Sequence, residues 1–337
     1  MKDVNIKHKQ HYVFQAYLEK WSNNKQIWCC RKDKIFLTNI INVAQERDFY
    51  RIKELNSEEE KFISLFLFNQ PKDVREAVTK HIQLLHKQLM WKELSDTFIN
   101  NISFCIEDNQ AKTELNKVIE NLRKIADSGV NDLVENIYSD DEGKAIVYLN
   151  QIINEDLSFF YSPDSDDCFR DSKQRFIHFL CTQHFRTKSA RVRWENGMSE
   201  SFNEEILNKL GVDYSQLRPN HLAYYVFWYV ENHVADMLYN NAHLSLIINN
   251  TEEPFITSDQ PIINIKANYQ SINDTPDELI FYYPISPKYA ILLNDNSTDS
   301  RIIALDKDVE YYNTKITKSA LENIFANDKA LFEKYHF

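Results

Sequence analysis

Glycine is almost absent from this chain: four residues in 337. Phosphate-cradling loops need glycine at fixed offsets, so neither the P-loop nor the dinucleotide fingerprint can be written anywhere in it. Cysteine is scarce too. Of the five, Cys29 and Cys30 are adjacent and Cys105, Cys168 and Cys181 are scattered, which makes no disulfide framework and no zinc spacing. Thiols in a reducing compartment are the expectation. Long apolar runs are missing as well. The longest, "FISLFLF" at 62–68, falls far short of the roughly 20 residues that cross a bilayer, and no apolar signal core opens the chain. Positive charge is in deficit, with 39 Lys and Arg against 50 Asp and Glu and a formal charge of −11. That excludes the global field behind nonspecific nucleic-acid binding and leaves only a local basic groove. A soluble, cytoplasmic protein without a membrane partner is expected. No G-x-S-x-G elbow and no H-E-x-x-H helix occurs either.

What is present suffices for a large core: 43% of residues are apolar and 26% charged, an ordinary globular balance. The first part reads as strands. "QIWCCR" (26–31) and "KIFLT" (34–38) form a hairpin around Lys32–Asp33, with "DFYRI" (48–52) as a third short strand. Ser57 with Glu60 reads as a capping box that opens a helix. Pro71 opens another over 72–99, with Val74, Val78, Ile82, Leu85 and Leu89 at helical spacing. Further helices are predicted at 113–127, 142–160, 172–191 and 220–241. Strands resume at 243–249, 254–257, 278–285, 289–294 and 301–305, before a final helix over 307–325. No repeat and no Gly-, Ser- or Pro-rich linker divides the chain. The expectation is one α+β unit, 1–337. A β-rich segment at 1–56 precedes a helical region at 57–241 and a β-rich segment with a final helix at 242–337. The terminal strand groups are expected to share one mixed sheet, because each alone exposes edges and an uncovered face.

Four stretches carry polar groups that local propensity does not require. In "HKQHYVFQAYLEKW" (8–21), His11, Gln15 and Glu19 are four apart and share a face on either a helix or a strand. They either serve a site or form a satisfied structural edge; His8 reads as a surface residue. "QHFRTKSARVRW" (183–194) gathers Gln183, Arg186, Lys188, Arg191 and Arg193, a local reversal of sign. Arginine forks grip phosphate or carboxylate. Cations at a helix C-terminus also complement its dipole, which says little about Gln183. In "PFITSDQPI" (254–262) a strand ends at Ser258–Asp259. Asp259 could bind metal, orient a histidine, act as a base or fix an Asx turn. "YYPISPKYAILL" (282–293) reads as a strand–turn–strand link with structural prolines, and Asn313 is a minor candidate. The pairs His81/His86 and His178/His184 lack metal spacing. The acidic clusters at Glu58–Glu60, Asp140–Glu142 and Asp164–Asp167 read as solvated loops and helix starts.

Together these stretches resemble a bacterial family, domain-of-unknown-function family 4238. "HYVFQAYLEKW" resembles its "HYVPQFYL" opening, "FITSDQPI" its "FITSDNPV", and "YYPISPKYAILL" its "PLSPKYALLL". "QHFRTKSARVR" resembles its "Q-x-x-RTP-x-x-R" helix end. Order and spacing agree from His11 to the last helix. Phe14 and Lys188 stand where the family usually has proline, while His11, Gln15, Gln183, Arg186, Arg191, Ser258 and Asp259 all match. The resemblance implies a bacterial setting, and some members resemble stand-alone anti-phage defence proteins. On that basis the expected function is a hydrolytic defence effector, a nuclease cleaving RNA or DNA phosphodiesters. His11 is the expected general acid or base, and Gln15 and Gln183 orient substrate or water. Arg186 and Arg191 hold phosphate, with Ser258 beside them. Asp259 orients His11 or coordinates a divalent metal such as magnesium. The alternative is a non-enzymatic sensor that recognises a phage component or a nucleotide, and a third reading is a buried structural network. The partners considered are nucleic acid, a phage-derived trigger and a second copy of the chain.

Overall fold

A computed structural model describes residues 5–102, 109–163, 171–269, 276–294 and 300–336; Cys105, Cys168 and Asp164–Asp167 lie outside them. The chain begins with β1 (Lys9–His11), α1 (Gln15–Leu18), β2 (Gln26–Arg31), β3 (Lys34–Asn39) and β4 (Gln45–Arg47). Helices follow: α2 (Ser57–Phe66), α3 (Lys72–Ile102), α4 (Asn109–Asn131), α5 (Leu133–Ile153), α6 (Ser158–Tyr161), α7 (Ser172–Phe185), α8 (Lys188–Ser201), α9 (Glu204–Lys209) and α10 (Pro219–Asn241). Then come β5 (His243–Asn249), β6 (Thr257–Ser258), β7 (Ile263–Asn264), β8 (Phe281–Pro284), β9 (Tyr289–Asn294), β10 (Arg301–Ala304), α11 (Asp306–Ser319) and β11 (Ile324–Ala326). The fold is α+β. Among the described residues no helix is long and apolar enough to cross a membrane.

Two compact units divide these elements. One comprises residues up to 10, 46–140 and 204–225; the other comprises 11–45, 141–203 and 226–337. The first is helical. Asn56, one residue before the expected Ser57, caps α2: its side chain accepts from Glu58 and Glu59 N–H while Glu59 reaches back to Asn56 N–H. Glu59 is fully buried, and Arg218 grips both its oxygens at 2.9 and 2.6 Å. On α3, Val78 and Leu85 of the expected apolar stripe are buried.

The second unit holds the two larger sheets. The β2–β3 hairpin turns through Lys32 and Asp33, both in the left-handed region (φ 47° and 62°). That is the paired positive-φ geometry of a two-residue hairpin turn, made here without glycine. The expected single mixed sheet is replaced by three. A four-stranded antiparallel sheet runs β3-β2-β11-β6, and a five-stranded mixed sheet runs β10-β5-β9-β8-β7, with β10 parallel to β5; β1 and β4 form a separate ribbon. The two ends of the chain do meet in one sheet, through β2 and β11. The chain then changes sheets inside the 258–261 turn: β6 belongs to the first sheet, and β7 begins the edge of the second. Pro261, which lacks an N–H for ladder pairing, stands in that corner. The core between the sheets and α11 is built from Ile247, Phe255, Ile263, Tyr282, Val309, Ile316 and Ile324.

Local boundaries differ from expectation for identifiable reasons. The strand expected at 48–52 is absent; Asp48 adopts φ 54°, which breaks an extended run, and β4 lies just before it. The helix expected at 142–160 starts at Leu133 and stops at Ile153, shortly before Glu155 turns left-handed (φ 61°). The final helix stops at Ser319 rather than 325, and Ile324–Ala326 instead fills a slot between β2 and β6. Cys29, Cys30 and Cys181 are buried free thiols.

Candidate functional site

The second unit brings four of the seven expected residues together. Aromatic packing fixes the segment that starts the cluster. Tyr17 stacks on Tyr283 with centroids 4.8 Å apart, and its hydroxyl pairs with Thr257 at 2.5 Å. Trp21 packs on Tyr17 and donates its indole N–H to the Phe255 carbonyl at 3.0 Å. The short helix α1 is therefore core on one side, and Gln15 is left half-buried on another. The Gln15 side-chain nitrogen lies 2.8 Å from His11 Nε2 and 3.2 Å from Nδ1, and His11 Nε2 lies 3.2 Å from the Ile41 carbonyl. A carbonyl only accepts and an amide nitrogen only donates, so the Ile41 contact is served by a ring protonated at Nε2 and the shorter Gln15 contact by a ring that accepts there. The half-buried imidazole lies between these two groups.

Beneath it lies a buried ion pair. Arg186 donates through one terminal nitrogen to Glu142 Oε1 at 2.5 Å and through the other to the His11 main-chain carbonyl at 2.6 Å. Gln183 donates to the same Glu142 oxygen at 3.4 Å. Glu142, Gln183 and Arg186 are all nearly inaccessible to solvent. Burial pushes the Glu142 carboxyl above its ordinary range, against the charge of Arg186 and the Gln183 hydrogen bond. Glu142 corrects the expectation of a solvated acidic cluster. Its signal was legible: Glu142, Ala145, Leu149 and Ile152 recur at helical spacing, and all four are buried.

Arg186 and Gln183 owe their positions to a helix break. The expected helix over 172–191 is interrupted at Arg186–Thr187. Thr187 is extended (φ −72°, ψ 157°), and its hydroxyl accepts from Ala190 N–H as the N-cap of α8. Lys188 is then the first residue of α8, where proline suits a helix. Phe14 has φ −57°, close to the angle a proline ring imposes. Both positions where this chain departs from the family's proline therefore keep proline-compatible surroundings. Arg191 sits half-buried in α8.

Ser258 and Asp259 lie in the sheet-changing turn, and their contacts are internal. Asp259 is fully buried; Oδ1 accepts from Leu321 N–H at 2.9 Å, and Oδ2 accepts from Glu322 and Asn323 N–H at 2.7 and 2.9 Å. The Asn323 side chain adds a fourth donor at 3.3 Å. The carboxylate thus pins the link between α11 and β11, where the sequence had suggested a partner for His11 or a metal ligand. Burial pushes its pKa up while these donors oppose the shift. Ser258 bonds to the main chain of Gln260. Gln260 in turn accepts from the Thr187 hydroxyl at 2.5 Å and donates to the His184 and Ile262 carbonyls, which locks the turn to the helix break. Among the described residues no group of three or more His, Cys, Asp and Glu could hold a metal ion.

Asp259→Ala is expected to lower the unfolding free energy by about 2–3 kcal/mol, because three main-chain N–H groups lose their acceptor. Asp259→Asn should lose roughly half as much. Urea midpoints check this, and an alanine variant as stable as the parent would show that the carboxylate is not what holds the turn.

Two half-buried histidines add a pH dependence. Burial is the first cause that lowers His184 to about 4, with the Arg193 charge adding and the Ile262 carbonyl opposing; burial alone takes His81 to about 4. An unfolded histidine titrates near 6.5, so the unfolded chain binds these protons first. Stability should be level above pH about 6.5 and fall toward pH 4, by roughly 1 kcal/mol per pH unit for each histidine. Denaturant midpoints across that window test it, and a flat curve would contradict it.

The fold is a mixed α+β architecture in which a sheet-changing turn and a helix break support a His–Gln pair over a buried Arg–Glu pair. The family model described as "Protein of unknown function (DUF4238)" matches residues 9–330, and the chain belongs to that family. No curated protein and no solved structure matches it.

Proposed function

We propose that the chain is a hydrolytic effector of anti-phage defence that cleaves nucleic-acid phosphodiesters, with His11 as its proton-transfer group. The observation that carries this reading is the half-buried His11 imidazole, oriented by the Ile41 carbonyl and the Gln15 amide and seated on a main-chain carbonyl that Arg186 and Glu142 hold. General acid–base catalysis needs a proton carrier fixed in orientation and within reach of substrate. Arg186 and Gln183 position that carrier in this reading. Arg191 is the remaining family-matched cation for a phosphate, and Asp259 acts through the turn it pins.

The test is direct incubation of the purified chain with RNA and with DNA, each with magnesium and with EDTA. Cleavage in either arm supports the hydrolytic reading, and the EDTA arm reports whether a divalent metal takes part. A second reading, a non-enzymatic sensor of a phage component or nucleotide, draws support from the inward commitment of Arg186 to Glu142. Tight binding of nucleic acid or of a phage component without cleavage would favour it.

A further inference from the structure

The face of the helix break that carries Arg193 borders a cavity of about 390 Å³ within the second unit. Its walls are aromatic: Phe185, Trp194, Phe202, Phe227 and Tyr269. Trp194 lies edge-on to Phe227 and Phe202, with centroids 6.1 and 6.2 Å away. Arg193 and His184 enter this surround, and Gln260 and Asn268 also line it. Arg193 lies over the Tyr269 ring at 4.5 Å and donates to Gln260 Oε1 at 3.3 Å. Among the described residues it makes no ion pair: Tyr269 stays protonated, its pKa pushed up to about 12 by burial, and both Asp259 oxygens already accept main-chain N–H bonds. His184 donates from Nδ1 to the Ile262 carbonyl at 2.9 Å, and its pKa near 4 keeps the ring neutral, so Nε2 is an acceptor.

A guanidinium without a carboxylate partner among the described residues, in an aromatic cavity of ligand size, is a recognition element for an apolar anion. We propose that this cavity binds a flat aromatic molecule bearing one anionic group, the ring against Trp194, Phe227 and Tyr269 and the anion on Arg193. His184 Nε2 then selects a ligand with a hydrogen-bond donor on its ring. An aromatic carboxylate and a nucleoside monophosphate share this chemistry. The inference is separate from the hydrolytic reading, because no residue of the His11 cluster lines the cavity.

Calorimetric titration of the full chain tests it with two matched pairs: indole carboxylate against indole carboxamide, and adenosine monophosphate against adenosine. In at least one pair the anion should bind about tenfold or more tightly than its neutral partner, and the pair that responds identifies the source of the ligand. Arg193→Met should abolish that preference while leaving the neutral partner's affinity within about threefold. Ala190→Phe, which fills the cavity from α8 and keeps the main-chain N–H capped by Thr187, should weaken both members of the pair by at least about tenfold. Should Arg193→Met fail to fold, the matched pairs on the unaltered chain and Ala190→Phe still decide. Equal binding of anion and neutral partner, no binding of either anion, or unchanged binding by folded Arg193→Met would overturn the proposal.

Discussion

Arg186→Met is expected to lower the unfolding free energy by about 3–5 kcal/mol, the usual cost of stranding one member of a buried ion pair. The side chain it removes touches two acceptors. Glu142 would keep only the 3.4 Å contact from Gln183, and the His11 carbonyl would lose its guanidinium donor. Glu142→Leu should cost a similar amount, since Arg186 would then carry a buried charge without the carboxylate that balances it. The double variant Arg186→Met/Glu142→Leu is the informative one. Paired apolar replacements of a buried ion pair are often close to neutral, so the double should lose less than either single. Its residual loss, about 1–2 kcal/mol, belongs to the His11 carbonyl left without its donor. Urea denaturation of all four proteins closes the cycle. Losses that simply add would show that Arg186 and Glu142 do not act as a pair.

The sequence made the β-hairpin, the long helices and the polar stretches legible, for different reasons. "QIWCCR" and "KIFLT" were legible as a hairpin because both are rich in β-formers and stand two residues apart; Ile27, Cys29 and Cys30 are buried, while Ile35 and Leu37 of β3 are exposed. The helix break at Thr187 was hidden, because Gln183 through Arg191 satisfies helical spacing on either side of it. Only the threonine before a family proline position marks the break, through N-cap chemistry that a spacing count does not see. Ile324 and Phe325 read as helix because they followed one; the open slot between β2 and β6 decided their state, a tertiary choice that no local window contains. Asp259 was legible as important, and a turn-fixing role was among those its sequence allowed. Its "SDQP" context signalled a polar turn, and the structure shows which N–H groups it serves, from a segment more than sixty residues away. Glu142 was the inverse case. Grouped with Asp140 and Asp141 it looked like charge on a surface, although its helical neighbours at 145, 149 and 152 placed it on the apolar side.

On the proposed hydrolytic reading, His11→Ala should reduce phosphodiester cleavage by about 10²–10⁴-fold, the usual contribution of a positioned proton-transfer group. The geometry allows this loss to be separated from a loss of folding. Arg186 grips the main-chain carbonyl of His11 rather than its ring, so truncating the side chain leaves that hydrogen bond in place. The ring is half-buried, and truncation removes its contacts with Gln15 and the Ile41 carbonyl, at a stability cost of about 1 kcal/mol. Gln15→Ala removes the amide that orients the ring and should cost less activity, about tenfold, with the same fold retained. Arg186→Met offers the contrast: it should lose stability first, and activity as a consequence. Parallel cleavage assays, urea melts and phage-protection assays on the three variants distinguish these roles. A fully active His11→Ala protein would remove His11 from the chemistry. Loss of phage protection in a chain that never cleaved nucleic acid would transfer the same residue to the sensor reading, where an oriented imidazole recognises a ligand instead of moving its proton.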